Sequence, residues 1–405
     1  MHPLTTLAPM SESTTAWIHP GEVLLHVGVH KTGTTALQAA LFDARPALRE
    51  QGVVYPGRTR SHYMHGLAAI GRRRGWSNGG AVPREGLWTD LVATTAATTD
   101  KRIIISGESF CEASVEQAAS IVAALGGPRV KVVVTLRPLE QLLPSTWQQY
   151  VKAGSSLRYS DWLDDVVRGP DAPKPVTPSF WLRNEHGRQV AKWVAATAPD
   201  RVAAVVVDPR NRMGVFEDFE DLLGLRRGTL QVSTTAQSNR GLSAEEVEML
   251  RVFNERVGHR FDYQLYDHIV RRAGFNAMVE GRRPGPDEAG LVVPAAVART
   301  MRSHGADAVA AIRESGVRVV GDLALLVPDT ELDDTLRVAT VDRVPLDAAA
   351  ILLEGLVERA FAALRSGEFG PEPAPLPLGI PAPRTLRRRI RRIGGRVLRR
   401  LGLRR

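Results

Sequence analysis

The segment Glu22–Ala40, EVLLHVGVHKTGTTALQAA, decides how this chain folds. Its first part is an apolar run typical of a buried strand, and its last part leads into a pair, Leu37 and Leu41, spaced as on one face of a helix. The connection from His30 to Thr35 contains lysine, glycine and hydroxyl residues. Backbone N–H groups at the start of a helix attract anions, and a nearby lysine adds positive charge. The segment therefore predicts a phosphate-binding loop.

This loop is not a Walker A motif, in which glycine directly precedes a lysine and the next hydroxyl holds Mg²⁺. Here Lys31 comes two residues before Gly33, and Thr34 stands where the Walker lysine would be. With this order of residues, we expect the lysine ammonium to lie against a bridging or terminal phosphate oxygen, without a metal ion. The alternative is a simple Gly-Thr turn that opens an ordinary strand–helix unit.

A second strand-and-helix segment has an arginine directly after its strand and a serine in the helix that follows. Residues 130–136, VKVVVTL, have the β-branched content of a strand. Arg137 follows them, and Ser145 comes eight residues later, directly after Pro144. Arginine offers phosphate a planar fork of donors, and a serine hydroxyl adds one more hydrogen bond. Because proline disfavours a helix interior, we expect the following helix to begin late or Ser145 to be displaced.

Together the two segments resemble the sulfotransferases that use 3′-phosphoadenosine 5′-phosphosulfate (PAPS). The 5′-phosphosulfate loop of that family corresponds to Lys31, Thr32, Gly33, Thr34 and Thr35. Its residues for the 3′-phosphate correspond to Arg137 and Ser145. The resemblance covers roughly residues 22–225. It implies a P-loop-like fold, PAPS as co-substrate without a metal, and sulfuryl transfer to a hydroxyl or amine, with Lys31 stabilising charge on the bridging oxygen.

A later segment, Ser238-Asn239-Arg240-Gly241, is similar to the family's loop that closes over the 3′-phosphate. The resemblance makes Arg240 a further candidate for cofactor binding. The alternative is structural, because Ser243 and Glu246 have the spacing of a helix capping box.

Sulfuryl transfer also requires a base for the acceptor's proton. Glu108 is the first candidate, because it follows the predicted strand 102–106, and open parallel sheets collect ligand groups at strand carboxyl ends. The alternative is that Glu108 only neighbours Ser109 as the cap of the next helix. His65 is the rival, as base or acceptor contact, and forms a His-x-x-His pair with His62. No further ligand cluster lies near this pair, so we do not expect a metal.

Strand and helix patterns alternate along the first part of the chain, which predicts an α/β fold with a parallel sheet flanked by helices. The C-terminal part is predicted to be mostly helical. The predicted strands cover residues 23–29, 52–56, 102–106, 130–136, 201–208 and 317–322. The main predicted helices cover residues 39–51, 113–125, 189–198, 216–225, 242–257 and 346–364.

The net charge of +9 is concentrated at the C-terminus. Residues 384–405 contain eleven arginines and no acid, with apolar residues at helical intervals, so we expect a basic amphipathic tail. A Pro-rich linker, residues 371–383, precedes it, a sulfotransferase-like domain covers residues 21–370, and residues 1–20 are expected to be flexible. We interpret the tail as an anchor to an anionic membrane surface. The alternative is a solubilising tail, and nucleic acid is not an expected partner.

Several features predict a cytoplasmic location, with peripheral association at the inner membrane face through the tail. No apolar run approaches the ~20 residues of a membrane-spanning helix. Residues 1–20 lack the pattern of a secretory signal. The single cysteine, Cys111, suits a reducing compartment.

Two other classes of protein stay open. A kinase with a divergent phosphate loop would need Mg²⁺ ligands, and among the predicted strands only the one ending at Asp208 offers a carboxylate of that kind. The other class is a non-catalytic protein that binds a nucleotide and associates with a membrane. Such a protein would have the phosphate-binding loop but would catalyse no reaction. The identity of the acceptor stays open among a carbohydrate, a lipid-linked sugar and a small molecule, because the variable loops at residues 58–84 and 151–178 contain no pattern that selects among them.

Overall fold

The computed structural model describes residues 16–29, 32–74, 80, 83–84, 86–177, 179–211, 213–232 and 240–366. The chain divides into two units, residues 1–357 and residues 358–405. Of the second unit, only the end of one helix is described. The predicted linker and the predicted tail, residues 371–383 and 384–405, lie outside the described residues.

Six strands form one parallel sheet. The strands are β1 (Val23–Gly28), β2 (Val53–Val54), β3 (Arg102–Ser106), β4 (Val130–Leu136), β5 (Val202–Val206) and β6 (Arg318–Val320). Apolar residues dominate the central strands, which are buried because helices cover both faces of the sheet. The predicted α/β fold is confirmed, and each of the six predicted strands is present.

The strand order, β2-β3-β1-β4-β5-β6, places the first strand in the middle of the sheet. Val23 of β1 is in register with Ile103 of β3 on one side and with Val130 of β4 on the other. From β1 the chain runs outward to β2 and β3, and it then crosses to build the other half. The strand order therefore reverses between β1 and β4, and ligands of open parallel sheets bind beside such a reversal.

Helices connect the strands and form most of the C-terminal part. They are α1 (Thr34–Asp43), α2 (Arg45–Glu50), α3 (Tyr63–Ala69), α4 (Leu87–Ala97), α5 (Val115–Ala124), α6 (Leu139–Lys152), α7 (Tyr159–Val166), α8 (Ser179–Asn184), α9 (His186–Ala196), α10 (Gly214–Leu223), α11 (Ala244–Val257), α12 (Tyr263–Tyr266), α13 (Asn276–Gly281), α14 (Ala295–Glu314) and α15 (Leu346–Ser366). A π-helical stretch, Asp267–Phe275, joins α12 to α13. The predicted main helices are present, but several others were not predicted, including the long helix α14.

Apolar side chains pack on both faces of the sheet, and β1 contributes to both because successive strand residues point to opposite sides. Leu25 and Val27 pack in the cluster that contains Trp193. Leu24 packs in the opposite cluster, with Leu41. His26 takes the same side as Leu24, so this polar residue lies within a buried strand.

Ordered packing begins ahead of the predicted domain start at residue 21. Ile18 is buried, and its N–H donates to the Leu222 carbonyl over 3.1 Å. The Lys131 ammonium lies 5.3 Å from the centroid of the Trp17 ring. Within the described ranges, no helix has both the length and the apolar character needed to cross a membrane.

Candidate functional site

The N-terminus of α1 is open to an anion. Gly33 is the N-cap residue, and its φ of 82° is a left-handed conformation that glycine adopts without steric cost. No described side chain caps this end of the helix, no atom lies where a Gly33 side chain would stand, and Thr35 is exposed beside it. The first N–H groups of a helix lack partners within the helix, so they can donate to an anion here. His30 and Lys31 lie outside the described residues.

A fully buried histidine lies beneath the loop and joins three strands. The Nδ1 of His26 on β1 is 2.8 Å from the Ser106 hydroxyl on β3, and its Nε2 is 3.3 Å from the Thr135 hydroxyl on β4. Gln38 of α1 also donates to Ser106, and the ring packs edge-on against Phe219. Burial lowers the pKa of His26 to about 3, so the ring is neutral and has a single N–H.

The protons in this network have one consistent arrangement. The Thr32 hydroxyl donates to the Val29 carbonyl over 2.7 Å, so Thr135 must donate the 2.8 Å hydrogen bond between the two threonine hydroxyls. Because the Thr135 proton is then used, His26 must donate to Thr135 from Nε2. Its Nδ1 has no proton and accepts from Ser106. The network therefore couples the loop to the sheet in a single tautomer.

The loop residues predicted to bind the cofactor differ in what their side chains can reach. Thr32 is only 1% exposed, and its hydroxyl is used within the fold, so a bond from Thr32 to phosphate would come from its backbone. Thr34 is 3% exposed and also faces inward. Gly33 and Thr35 are exposed. In the described part of the loop, the open surface is therefore formed by backbone groups and the Thr35 hydroxyl.

The predicted base lies directly beside this loop. Glu108 begins a short 3-10 helix, Glu108–Glu112, after β3, and its Oε1 accepts a 2.5 Å hydrogen bond from the Thr34 hydroxyl. The alternative interpretation, in which Ser109 caps the next helix, is wrong because Ser114 caps α5. The structure thus brings a carboxylate from the end of β3 to the start of α1.

The two histidines of the His-x-x-His pair have different environments. His62 is buried, accepts from the Ser106 N–H at Nδ1 and contacts the Pro56 carbonyl through Nε2. Burial is the main reason that its pKa is lowered to about 3, so its role is structural. His65 on α3 is 6% exposed, and burial lowers its pKa as well. Its Nδ1 is buried without a hydrogen-bond partner among the described residues, which leaves it available to a ligand or water.

Arg137 lies at the end of β4, as predicted. Its side chain is half-buried, its Nε donates to Gln141 over 3.1 Å, and burial lowers its pKa. The Nε2 of His186 donates to the Arg137 carbonyl over 2.8 Å. Because burial lowers the pKa of His186 to about 4, this imidazole is neutral, and the bond fixes the strand end that presents Arg137.

Ser145 lies within α6, which runs from Leu139 to Lys152 with Pro144 inside it. The expectation of a late helix start is therefore wrong. Proline removes one hydrogen-bond donor from the helix interior, so the Glu140 carbonyl loses its partner there. The half-buried Ser145 hydroxyl donates to the Leu142 carbonyl over 3.1 Å, a contact that a ligand can replace.

Arg240 is held by contacts within the fold. Its guanidinium donates to the buried Glu246 carboxylate over 2.7 and 2.8 Å, and to the Met278 carbonyl over 3.1 Å. The alternative capping box is present, with Ser243 and Glu246 at the start of α11. A cofactor role for Arg240 stays a prediction that requires these contacts to be exchanged.

Sequence reasoning missed the polar residues that support the loop, including Ser106, Thr135 and His186. A signal for two of them was present, because β3 and β4 each place one polar residue near the end of an otherwise apolar run, as β1 does with His26. No comparable signal marks His186. In the part of the chain that the structure describes, no group of three or more His, Cys, Asp or Glu side chains is placed to hold a metal ion.

Comparisons with known proteins add little to this geometry. No protein-family model matches the chain, and no curated protein matches it. Among solved structures, the chain is similar to a sulfotransferase from Alicyclobacillus acidocaldarius, with 16% sequence identity and a TM-score of 0.37. The match covers 61% of this chain and 96% of that chain. At this level of similarity, conclusions about activity depend on the site itself.

Proposed function

We propose that the protein is a PAPS-dependent sulfotransferase. The observation that supports the proposal is the position of two predicted phosphate sites. The uncapped start of α1 and Arg137 follow the neighbouring strands β1 and β4, on either side of the point where the strand order reverses. Open parallel sheets bind their ligands at such a point. PAPS has a 5′-phosphosulfate and a 3′-phosphate, so it suits two separate anion sites.

The residues present fit this co-substrate. The first N–H groups of α1 and the Thr35 hydroxyl would bind the 5′-phosphosulfate, and Lys31 would add positive charge. Arg137 and Ser145 would bind the 3′-phosphate. Arg137 would exchange its hydrogen bond to Gln141, and Ser145 its hydrogen bond to the Leu142 carbonyl, for one to the ligand. Both sites offer donors to anionic oxygens.

In the proposed reaction, PAPS supplies the sulfuryl group to a hydroxyl or amine of a carbohydrate, glycolipid or small molecule. An acceptor oxygen or nitrogen forms a bond to sulfur while the bond from sulfur to the bridging oxygen breaks. Adenosine 3′,5′-bisphosphate leaves with that electron pair, and Lys31 and the loop N–H groups stabilise the charge. Glu108 accepts the acceptor's proton, and the hydrogen bond from Thr34 orients the carboxylate for this step.

The kinase alternative has less support. Asp208, the predicted source of a metal ligand, forms two 3.0 Å hydrogen bonds with the side chain of Arg210. A carboxylate bound in this way must give up a partner before it can bind Mg²⁺.

Replacing Arg137 with alanine tests the 3′-phosphate site. Isothermal titration calorimetry should show that adenosine 3′,5′-bisphosphate binds more tightly than ATP with Mg²⁺. Arg137→Ala should weaken bisphosphate binding by more than about tenfold, or about 1.5 kcal/mol, because a charge-assisted hydrogen bond is lost. Binding of adenosine 5′-phosphate should change little. Arg188→Ala, at an exposed arginine paired with Asp171, is the matched control. Equal losses for both nucleotides would exclude the 3′-phosphate assignment.

We also propose that residues 384–405 associate with an anionic membrane surface. The proposal is based on their eleven arginines and helically spaced apolar residues, and each basic residue near such a surface contributes about 1 kcal/mol. The full chain should sediment with anionic vesicles in a salt-sensitive manner, but not with neutral ones. A version ending at Gly370 should stay in solution and retain its activity on a soluble acceptor. Equal sedimentation of both versions would contradict the proposal.

A further inference from the structure

The 3-10 helix that carries Glu108 ends in a buried ion-pair cluster. The Glu112 side chain is 3% exposed. Its Oε1 accepts from Nε and Nη2 of Arg183 on α8, over 2.9 and 2.7 Å, and its Oε2 accepts from Arg72, which follows α3, over 2.6 Å. Burial acts to lower the pKa of Arg183, but Glu112 and other neighbours together raise it above its ordinary value. One carboxylate thus connects the 3-10 helix to two helices.

A third helix holds the end of the same 3-10 helix through its carbonyl groups. The Lys192 ammonium on α9 donates to the Cys111 and Ala113 carbonyls over 2.7 and 3.0 Å. Gln189 donates to the Cys111 carbonyl over 3.0 Å. Lys192 is buried, and burial lowers its pKa to about 8. The side chains of α9 therefore supply partners for carbonyls that a helix end leaves free.

The remaining side of the 3-10 helix contacts α3 directly. The Ser109 hydroxyl donates to the Tyr63 carbonyl over 2.7 Å. Gly66 approaches so closely that a side-chain carbon there would lie 2.2 Å from the Ser109 hydroxyl. Because α3 also carries His65, this contact holds the helix of one candidate base, His65, against the 3-10 helix of the other, Glu108.

These contacts are needed because a five-residue 3-10 helix has too few internal hydrogen bonds to fix its own orientation. Burying Glu112 and Arg183 removes both ions from water, and this desolvation cost is often as large as their attraction, so a buried ion pair often adds no net stability. A role in fixing geometry explains the pair better than a role in stability. We propose that Arg183, acting through Glu112, is a positioning residue that sets where the Glu108 carboxylate lies. The expected effect of this positioning on catalysis rests on the proposed sulfuryl transfer.

Hydrogen exchange and turnover of the full chain together test this inference. Arg183→Met should raise amide exchange over residues 107–113 by about tenfold or more relative to β1 and β4, because the 3-10 helix loses a support. It should also lower kcat for PAPS turnover by about tenfold or more, since small displacements of a catalytic group are costly. Affinity for adenosine 3′,5′-bisphosphate should stay within about twofold, and Arg183→Lys should recover part of kcat. Arg188→Ala is the control. Glu112→Gln, which keeps the side-chain shape, replaces Arg183→Met if that variant does not fold.

The outcomes separate the inference from the proposed function. Unchanged exchange over residues 107–113 overturns the inference, whatever the turnover. Faster exchange with unchanged kcat overturns it as well, because the support would then have no effect on Glu108. If the unaltered protein neither binds adenosine 3′,5′-bisphosphate nor turns over PAPS, the proposed function fails. The exchange result then decides by itself whether Arg183 holds the 3-10 helix.

Discussion

Replacing Glu108 with glutamine is expected to lower the rate of sulfuryl transfer by about 100-fold or more, because the amide cannot accept the acceptor's proton. The change is nearly isosteric, and the glutamine oxygen can still accept from Thr34, so the loop should keep its structure. Binding of adenosine 3′,5′-bisphosphate should be unchanged. The measurement is release of the bisphosphate from PAPS with a sugar alcohol as acceptor.

A comparison of two acceptors of different acidity distinguishes a missing base from damaged geometry. p-Nitrophenol is far more acidic than an alcohol and is partly ionised at neutral pH, so its sulfation needs less help from a base. Glu108→Gln should therefore reduce that reaction much less than sulfation of an alcohol. A uniform loss for both acceptors would point to damaged geometry instead of a missing base. His65→Ala is the companion variant. If it abolishes turnover while Glu108→Gln retains most of it, His65 is the base and the assignment is reversed.

Mild acid is expected to destabilise the fold strongly, because burial holds three histidines neutral. Burial lowers the pKa values of His26, His62 and His186 to about 3, 3 and 4. In the unfolded chain these residues return to their ordinary pKa of about 6.5 and bind protons that the folded state does not. Stability therefore falls as pH drops below about 6.5, and the loss continues until the folded-state pKa values are reached.

The expected size of this effect is large for a folded domain. Between pH 6 and 5, the free energy of unfolding should fall by about 1.4 kcal/mol per pH unit for each histidine, or about 4 kcal/mol for the three together. Urea unfolding at several pH values measures the net slope, which Asp218 reduces because burial raises its pKa to about 6 and the folded state takes up its proton in this range. His62→Gln should remove about a third of the contribution of the three histidines. A flat stability profile over this range would show that the rings are not held neutral.

The sheet could be predicted from the sequence because its central strands are short apolar runs rich in valine and isoleucine, with breaks between them. The helix α14 could not. Its sequence, AAVARTMRSHGADAVAAIRE, contains few large apolar residues and no side-chain N-cap, so neither its face nor its start is marked. Its alanines favour a helix, but its buried face consists mainly of small residues, so the apolar periodicity is a weak signal.

The candidate site was predictable in position but not in side-chain direction. Glu108 and Arg137 lie at strand ends, and strand ends meet at one edge of a parallel sheet whatever the details. The inward orientation of Thr32 depends on Thr135, a hydrogen-bond partner about a hundred residues away in sequence. The pairing of Glu112 with Arg183 is also long-range. Motif spacing contains no information about such partners.

The ordered hydrogen bonds beneath the loop also restrict how this sequence can vary in evolution. The linked hydroxyls of Ser106, Thr135 and Thr32 each accept one proton and donate another. An apolar residue at Thr135 would therefore leave the His26 Nε2–H without an acceptor and the Thr32 hydroxyl without a donor. Serine can replace threonine because it preserves both functions. A change at one of the linked positions is therefore tolerated when its neighbour changes with it. The residues of this network, although far apart in the chain, are therefore expected to change together in evolution.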